Sequence, residues 1–514
     1  GGTLSVGGTL TVSSVTASNA SIVTGSGTIN APCVVQSGGT LSGTLKVNSI
    51  ATVQNGGLVA PGSYAPGNLA VSNLTLEAGA GVRVYLASNN IVLVTNMFTT
   101  AAGGTNYVDI VTVPGTGQFP LIAYGPPGIY GGGFNALELL SLPHGVEGVL
   151  TNNTVNRSVD LLVTSVVPPS SLYWTGMVST AWDIRTTTNW VYTNAPTVYK
   201  DGDLVICNDS ADRFTVDVKV PVVPGSFMVS NDVYNYTFTG TNAITGPTAF
   251  LKYGAATCTV QNANTYTGAT IVTLGKLAIS GGDNRLPATT TLTISNIAGV
   301  AFDVNGCNQV IGRLDGGGNN GGNIDLIGGR LSITQHVNTA YGGAITGAGG
   351  ITKAGAGILT FTGAVASVYT GTTYVIDNGK LVMGKASGIT SVGGDLTIGS
   401  TSGWASGAPT GVDLTNNDQH VNSGVIRFVG SDWCGFRPRG NTETIAGLES
   451  LAGKGVIENH GWNQGGPAVD GKIIVNTPGS ASYYYNGYIR DYDGGGTASR
   501  IVITKTGTGT QTLY

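Results

Sequence analysis

The sequence predicts an all-β chain built as a stack of repeats, and three observations carry that prediction. A phrase recurs: Ile351 to Gly384 reads ITKAGAGILTFTGAVASVYTGTTYVIDNGKLVMG, Leu251 to Ser280 reads LKYGAATCTVQNANTYTGATIVTLGKLAIS, and Ile503 to Tyr514, ITKTGTGTQTLY, is the first half of it again. Self-similarity on this scale belongs to stacked architectures in which each repeat contacts its neighbours. Glycine supplies 82 of 514 residues and charged residues only 10%, which suits long parallel sheets with a tight turn at each corner. No 3.6-residue apolar period marks an amphipathic helix.

Each copy opens on a lysine (Lys252, Lys353, Lys505) followed by glycine-punctuated strand residues. The two full copies then carry Tyr-Thr-Gly at Tyr266 and Tyr369, and Gly-Lys-Leu ending at Leu277 and Leu381. This phrase resembles the autotransporter-associated β-strand repeat of bacterial surface proteins. Asn264-Thr265-Tyr266-Thr267-Gly268 matches that family's turn closely; the second copy has Ser367-Val368-Tyr369-Thr370-Gly371 and two extra residues before its tyrosine. The resemblance implies a right-handed parallel β-solenoid (β-helix) with loop insertions on an exported, passenger-type protein, and implies no chemistry.

In chain order, residues 1–165 read as an N-terminal solenoid with an irregular later part. Gly-Gly-Thr-Leu recurs at 1–4, 7–10 and 38–41, and the runs Leu45-Lys-Val, Leu74-Thr-Leu and Val82-Arg-Val-Tyr-Leu alternate apolar and polar. Ala60 to Gly67 holds two prolines and reads as a protruding loop. Residues 166–172 contain Pro168-Pro169 and read as a stiff connector. Residues 173–250 form a Trp-rich, irregular stretch. Its Trp-Thr-Gly, Trp-Asp and Asn-Trp units (Trp174, Trp182, Trp190) resemble a segment found ahead of the repeats in such surface proteins. These rings read either as a sugar-stacking platform or as filling for an irregular coil. Residues 251–514 carry the repeats. Their last hundred residues gather Trp404, Trp433, Arg437, His460, Trp462 and tyrosines at 483–485 and 488, read either as a contact surface or as loop packing.

A search for chemistry returns little. The 27 acidic residues are scattered, and the four histidines lie far apart, so no triad forms on the page. Asp201-Gly202-Asp203 reads as a solvated turn or as a weak structural calcium site, as do Asp325 and the Asp491-Tyr492-Asp493 turn. No cofactor and no catalytic residue is expected. Five cysteines without CxxC spacing read as small buried hydrophobes, with a Cys258–Cys307 disulfide as the alternative. A net charge of -4 argues against nucleic acid. The lack of an apolar run of about 20 residues argues against membrane insertion in this segment. The chain starts without a signal peptide, as a processed or trimmed exported protein does.

The expected role is therefore an extracellular structural protein, a scaffold or fibre subunit, with a carbohydrate-binding adhesin as the alternative and a polysaccharide-degrading enzyme behind it. Gly1, Gly2, Thr3 and Leu4 read as an uncapped first strand, and Ile501, Ile503, Leu513 and Tyr514 as a repeat broken off in its middle. They are the expected interface for head-to-tail self-assembly. Trp174, Trp182, Trp190, Trp433, Arg437 and Trp462 are the candidate contacts for surface glycans or a partner.

Overall fold

Parallel pairing recurs once per coil. In the computed structural model Thr3 pairs with Ile22, Ile22 with Thr40 and Thr40 with Leu58, steps of 19, 18 and 18 residues. That spacing leaves room for other strands and corners before the chain returns beside itself. The structure describes residues 2–62, 67–86, 90–166, 171–400, 410–450, 453–460, 469–491 and 499–514. Much of the Pro-rich loop at 60–67 and of the connector at 166–172 therefore lies outside the described residues, with Gly1, Trp404, Trp462 and Asp493. Phe134–Ala136 forms a 3-10 turn; among the described residues no helix is long and apolar enough to cross a membrane.

The chain divides into two compact units. One comprises residues 1–174, 183–205 and 222–226, the other 175–182, 206–221 and 227–514.

In the first unit, seven described strands form one sheet, from Thr3–Val6 to Leu137–Ser141, and eleven form another. Alternation of side chains along each strand sends every second residue inward. Val23, Leu41, Val59, Val82 and Val108 then stack in one column. Ile29, Val47, Val71 and Val94 form a column of the other sheet. A single hydrophobic cluster contains both columns. The parallel pattern gives way at Ser158–Val166, which pairs antiparallel with Gly117–Tyr124 and with Val146–Asn153.

The second unit repeats the design with larger side chains. Tyr236, Cys258, Leu277, Phe302, Ile324 and Ile345 are successive members of one buried column. Leu359, Leu381, Val412 and Phe436 form another. Leu277 and Leu381 point inward as the repeat register requires, while Lys276 and Lys380 are half-buried. All five cysteines are free. The Cys258–Cys307 pairing does not form: Cys258 is an inward residue held between Tyr236 and Leu277, and the Cys307 thiol sits in a turn against the Asn305 carbonyl.

The first lysine of the repeat is an interior residue. Lys252 stacks between Val229 and Val272, and Lys353 between Ile333 and Val375, both fully buried. Each ammonium reaches the turn that follows. Lys252 donates to the carbonyls of Tyr253 and Gly254 at 2.6 Å each, Lys353 to those of Ala354 at 2.6 Å and Gly355 at 2.7 Å, and Lys505 to those of Thr506 and Gly507. The Lys-x-Gly spacing follows from this geometry. Gly254 and Gly355 adopt φ +79 and +76, and a Cβ at either would lie within 2.5 Å of a carbonyl oxygen in the preceding coil. The Tyr-Thr-Gly unit is equally local: the Tyr266 hydroxyl meets Thr270 Oγ1 at 2.6 Å, and Tyr369 meets Thr373 in the same way.

Two predictions follow from the register. Replacing Leu277 by Ala costs about 2–5 kcal/mol in denaturant unfolding, whereas replacing Lys276, which faces Asp303 at 3.3 Å and is 40% exposed, costs about 0–1 kcal/mol; equal losses would contradict the assignment. Burial, with Lys380 nearby, pushes Lys353 down to about 7 from 10.5. The unfolded chain then holds more protons than the folded one between these values, and this lysine makes stability rise with pH from about 7 to 10. Lys353→Met removes the donors to two turn carbonyls at a cost of about 1–3 kcal/mol and flattens that rise, both measurable from melts across the pH range.

Candidate functional site

The register brings an aromatic and cationic cluster together on late coils of the second unit. Strands Cys434–Arg437, Gly455–Glu458 and Tyr488–Arg490 pair in parallel, Gly435 beside Val456 and Val456 beside Tyr488. Trp433, Val456, Tyr488 and Arg490 line an open groove of about 490 Å³. The Trp433 and Tyr488 rings lie 4.9 Å apart at 57°, and Lys454 Nζ sits 4.7 Å over the Trp433 ring. Tyr488 keeps 55% of its surface exposed. A charge ladder holds one wall: Asp413, Arg437, Glu458 and Arg490 occupy one column in alternating sign. Arg437 Nε donates to Glu458 Oε1 at 2.8 Å, and Arg490 Nε to Glu458 Oε2 at 2.8 Å. Burial works against the Glu458 carboxylate, but the two guanidinium groups hold it below its usual range.

On another sheet of the same coils, Arg427 binds Asp395 and Glu449 and lines a second groove of about 340 Å³ with Ser482 and Tyr484.

Of the residues selected from sequence, Trp433 stands in the first groove. Arg437 is buried and serves as the internal strut of the ladder, because its column position lies between two carboxylates. Trp174, Trp182 and Trp190 are fully buried. Trp174 packs edge-on against Trp190 at 5.0 Å, and Trp182 lies 5.7 Å from Phe227. No face of these three rings meets solvent, so a sugar cannot stack on them. Trp462 lies outside the described residues. Tyr488, one of the late tyrosines read as a possible contact surface, also lines the groove; Lys454 and Arg490 complete it and were not selected, because only the spacing of coils between Trp433 and the tyrosine run signals them, and variable loops obscure it.

The terminal residues sit at sheet edges. Thr3–Val6 is the outer strand of the seven-stranded sheet, with Gly2, Thr3 and Leu4 exposed. Ile501–Thr506 is the outer strand of a three-stranded sheet, with Ile501 and Ile503 half-buried. Thr510–Leu513 is the outer strand of a nine-stranded sheet, with Leu513 and Tyr514 exposed.

The acidic residues considered for calcium have protein partners. Asp201 accepts from the Tyr199 hydroxyl at 3.0 Å and from Val223 N at 2.8 Å. Asp203 faces His144 Nδ1 at 2.8 Å and accepts from Lys200 N. Asp325 accepts from Ile327 N in its own turn, and Asp491 from Ile501 N. Among the described residues no three His, Cys, Asp or Glu side chains converge as metal ligands. Asp201 belongs to a network that sequence reading missed. Arg83 donates from Nε to Asp109 at 3.0 Å and places Nη2 3.5 Å from Asp201, while Arg185 binds Asp109 at 2.6 Å. Burial opposes the Asp109 carboxylate, yet Arg83 and Arg185 hold it low; at Asp201 burial outweighs Arg83 and raises it.

One buried acid and one buried base lie close together. Glu443 accepts from Gln419 N at 2.8 Å and His420 N at 3.1 Å. Burial pushes Glu443 up to about 8 and His420 down to about 4, so both are uncharged at neutral pH. Neither has a surface from which to reach a substrate. The pair therefore tunes stability. Glu443, raised from 4.5, contributes stability that is present below pH 4.5 and lost as pH climbs to about 8. Glu443→Gln abolishes this loss, so the variant gains on the native chain steadily from pH 6.5 to 8. A difference that stays constant over that range refutes the assignment.

Comparison with known proteins gives a partial match. The chain is 30% identical over 209 residues to the adhesin BmaC autotransporter of Brucella suis biovar 1 (strain 1330). The match covers 40% of this chain and 6% of that protein. No family model matches the chain, and no solved structure matches it.

Proposed function

We propose that the chain is a segment of an extracellular, autotransporter-related passenger, a right-handed parallel β-solenoid that serves as a surface scaffold and adhesin. The observation that carries this reading is the match to a protein named an adhesin, in a chain whose interior columns are filled by packing and turn-capping side chains. The handedness is that of nearly all parallel crossovers. A solenoid suits the role because its side-chain columns give extended surfaces without needing a catalytic centre. The adhesive reading has support of its own in the Trp433 groove, where exposed aromatic and cationic groups stand together.

Head-to-tail assembly of this chain with itself is the second reading. Thr3–Val6, Ile501–Thr506 and Thr510–Leu513 each pair on one side among the described residues. An outer strand accepts another through main-chain hydrogen bonds.

Two measurements test these readings. Beads coated with the purified chain are expected to adhere to glycan-bearing cell layers above the level of albumin-coated beads, and adherence at the albumin level would refute the adhesive role. In sedimentation and electron microscopy the chain is expected to form filaments that disappear on deletion of Ile501 to Tyr514; monomers at high concentration, or filaments that survive the deletion, would refute end-to-end assembly.

A further inference from the structure

The groove on the nine-stranded sheet carries a more specific chemistry. Tyr374, Thr397, Arg427 and Glu449 follow one another in a single outward column. Ser450 pairs in parallel with Tyr485, and both are buried. Glu449 and Tyr484, one residue earlier on each strand, therefore stand together on the outer side. Arg427 donates from Nε to Glu449 Oε2 and from Nη1 to Asp395 Oδ2. Asp395 is itself held by Val425 N at 2.9 Å. The guanidinium is thus fixed between two carboxylates, yet each of the three side chains keeps 33–34% of its surface exposed.

This pair leaves a donor and an acceptor side by side. Arg427 Nη2 and Glu449 Oε1 make no hydrogen bond among the described residues. Exposed Ser482 adds a hydroxyl to the same groove. The rest of the lining is apolar: Val429 is 44% exposed and the Tyr484 ring 38%. The volume, about 340 Å³, falls within the roughly 300–1,000 Å³ typical of small-ligand sites. A sugar ring has the complementary pattern. Its C–H face packs on an aromatic ring, and its neighbouring hydroxyls donate and accept at once. An apolar peptide would cover Nη2 and Oε1 without giving them partners, which is costly. An anionic ligand would compete with Asp395 and Glu449 for the guanidinium and meet their charges at close range.

We propose that this groove binds a neutral glycan, its ring face against Tyr484 and its hydroxyls between Arg427 and Glu449. The proposal rests on the adhesin reading for its biological setting.

The test titrates the purified chain with dextran, mannan and galactan as neutral polymers and with polygalacturonate and heparin as acidic ones. At least one neutral polymer is expected to bind, little affected by salt, with both acidic polymers at least about tenfold weaker. Tyr484→Ala is expected to weaken that binding about tenfold or more, and Tyr484→Phe to retain it. Glu449→Ala, a change on the outer side, removes the acceptor and releases Arg427 Nε. It is expected to weaken neutral binding severalfold and to raise binding of polygalacturonate, a reversal that loss of structure would not produce; it keeps the test valid if Tyr484→Ala misfolds. No binding of any neutral polymer, acidic polymers bound as well by the native chain, or unchanged binding by Tyr484→Ala and Glu449→Ala overturns the proposal. Bead adherence, measured in parallel, separates the two claims. Adherence without glycan binding upholds the adhesin reading and overturns this groove. Glycan binding without adherence leaves the groove standing and refutes the adhesin reading.

Discussion

The spacing of the parallel ladder governs the rest of this structure. In-register strands set each side chain about 4.8 Å from its counterparts in the coils before and after, so a residue is chosen for its column as much as for its own coil. Apolar columns such as Val23–Leu41–Val59–Val82–Val108 satisfy this by likeness. Charged residues do so at a cost, because like charges directly opposite destabilise a sheet, and Asp303 beside Asp325 is such a pair. Elsewhere charges alternate, as in Asp413–Arg437–Glu458–Arg490, or a cation binds two acids, as Arg427 does with Asp395 and Glu449.

The same constraint explains the interior polar groups. A coil must turn its corners, and each corner leaves backbone carbonyls turned from the ladder. An unsatisfied buried carbonyl is costly. A lysine at an inward position meets that need with a long stem that packs as a hydrophobe and a head that bonds two carbonyls at once. Gln309 does similar work by bonding both the backbone N–H and the carbonyl of Leu286. These residues have the composition of a binding site and the function of a corner brace.

The repeat was legible in the sequence because its parts act locally. Lysine reaches a turn two residues on, and tyrosine reaches a threonine four residues on, so their spacing survives in any copy. The inward direction of Leu277 and Leu381 was legible for the same reason. What the sequence concealed depends on coil length. Trp433, Lys454 and Tyr488 become neighbours only through ladder register across loops of unequal size. The Arg83–Asp109–Asp201–Arg185 network is assembled over a still wider span. Trp174, Trp182 and Trp190 drew attention by their nearness in sequence, but their rings pack on one another and on phenylalanine and tyrosine instead of facing out. Cys258 lies in the first full copy and Cys307 in the stretch after it, and one is an inward strand residue while the other is a turn residue, which their nearness in sequence does not reveal.

The inward lysines also bear on resistance to proteolysis. A trypsin-like protease cuts after lysine or arginine in chain that it can draw out into an extended, accessible form. This sequence offers 23 such residues in 514. Lys252, Lys353 and Lys385 are fully buried and Arg437 nearly so, each tied to backbone carbonyls or carboxylates of its own or nearby coils. The residue that braces the corner thereby removes a cleavage point from view.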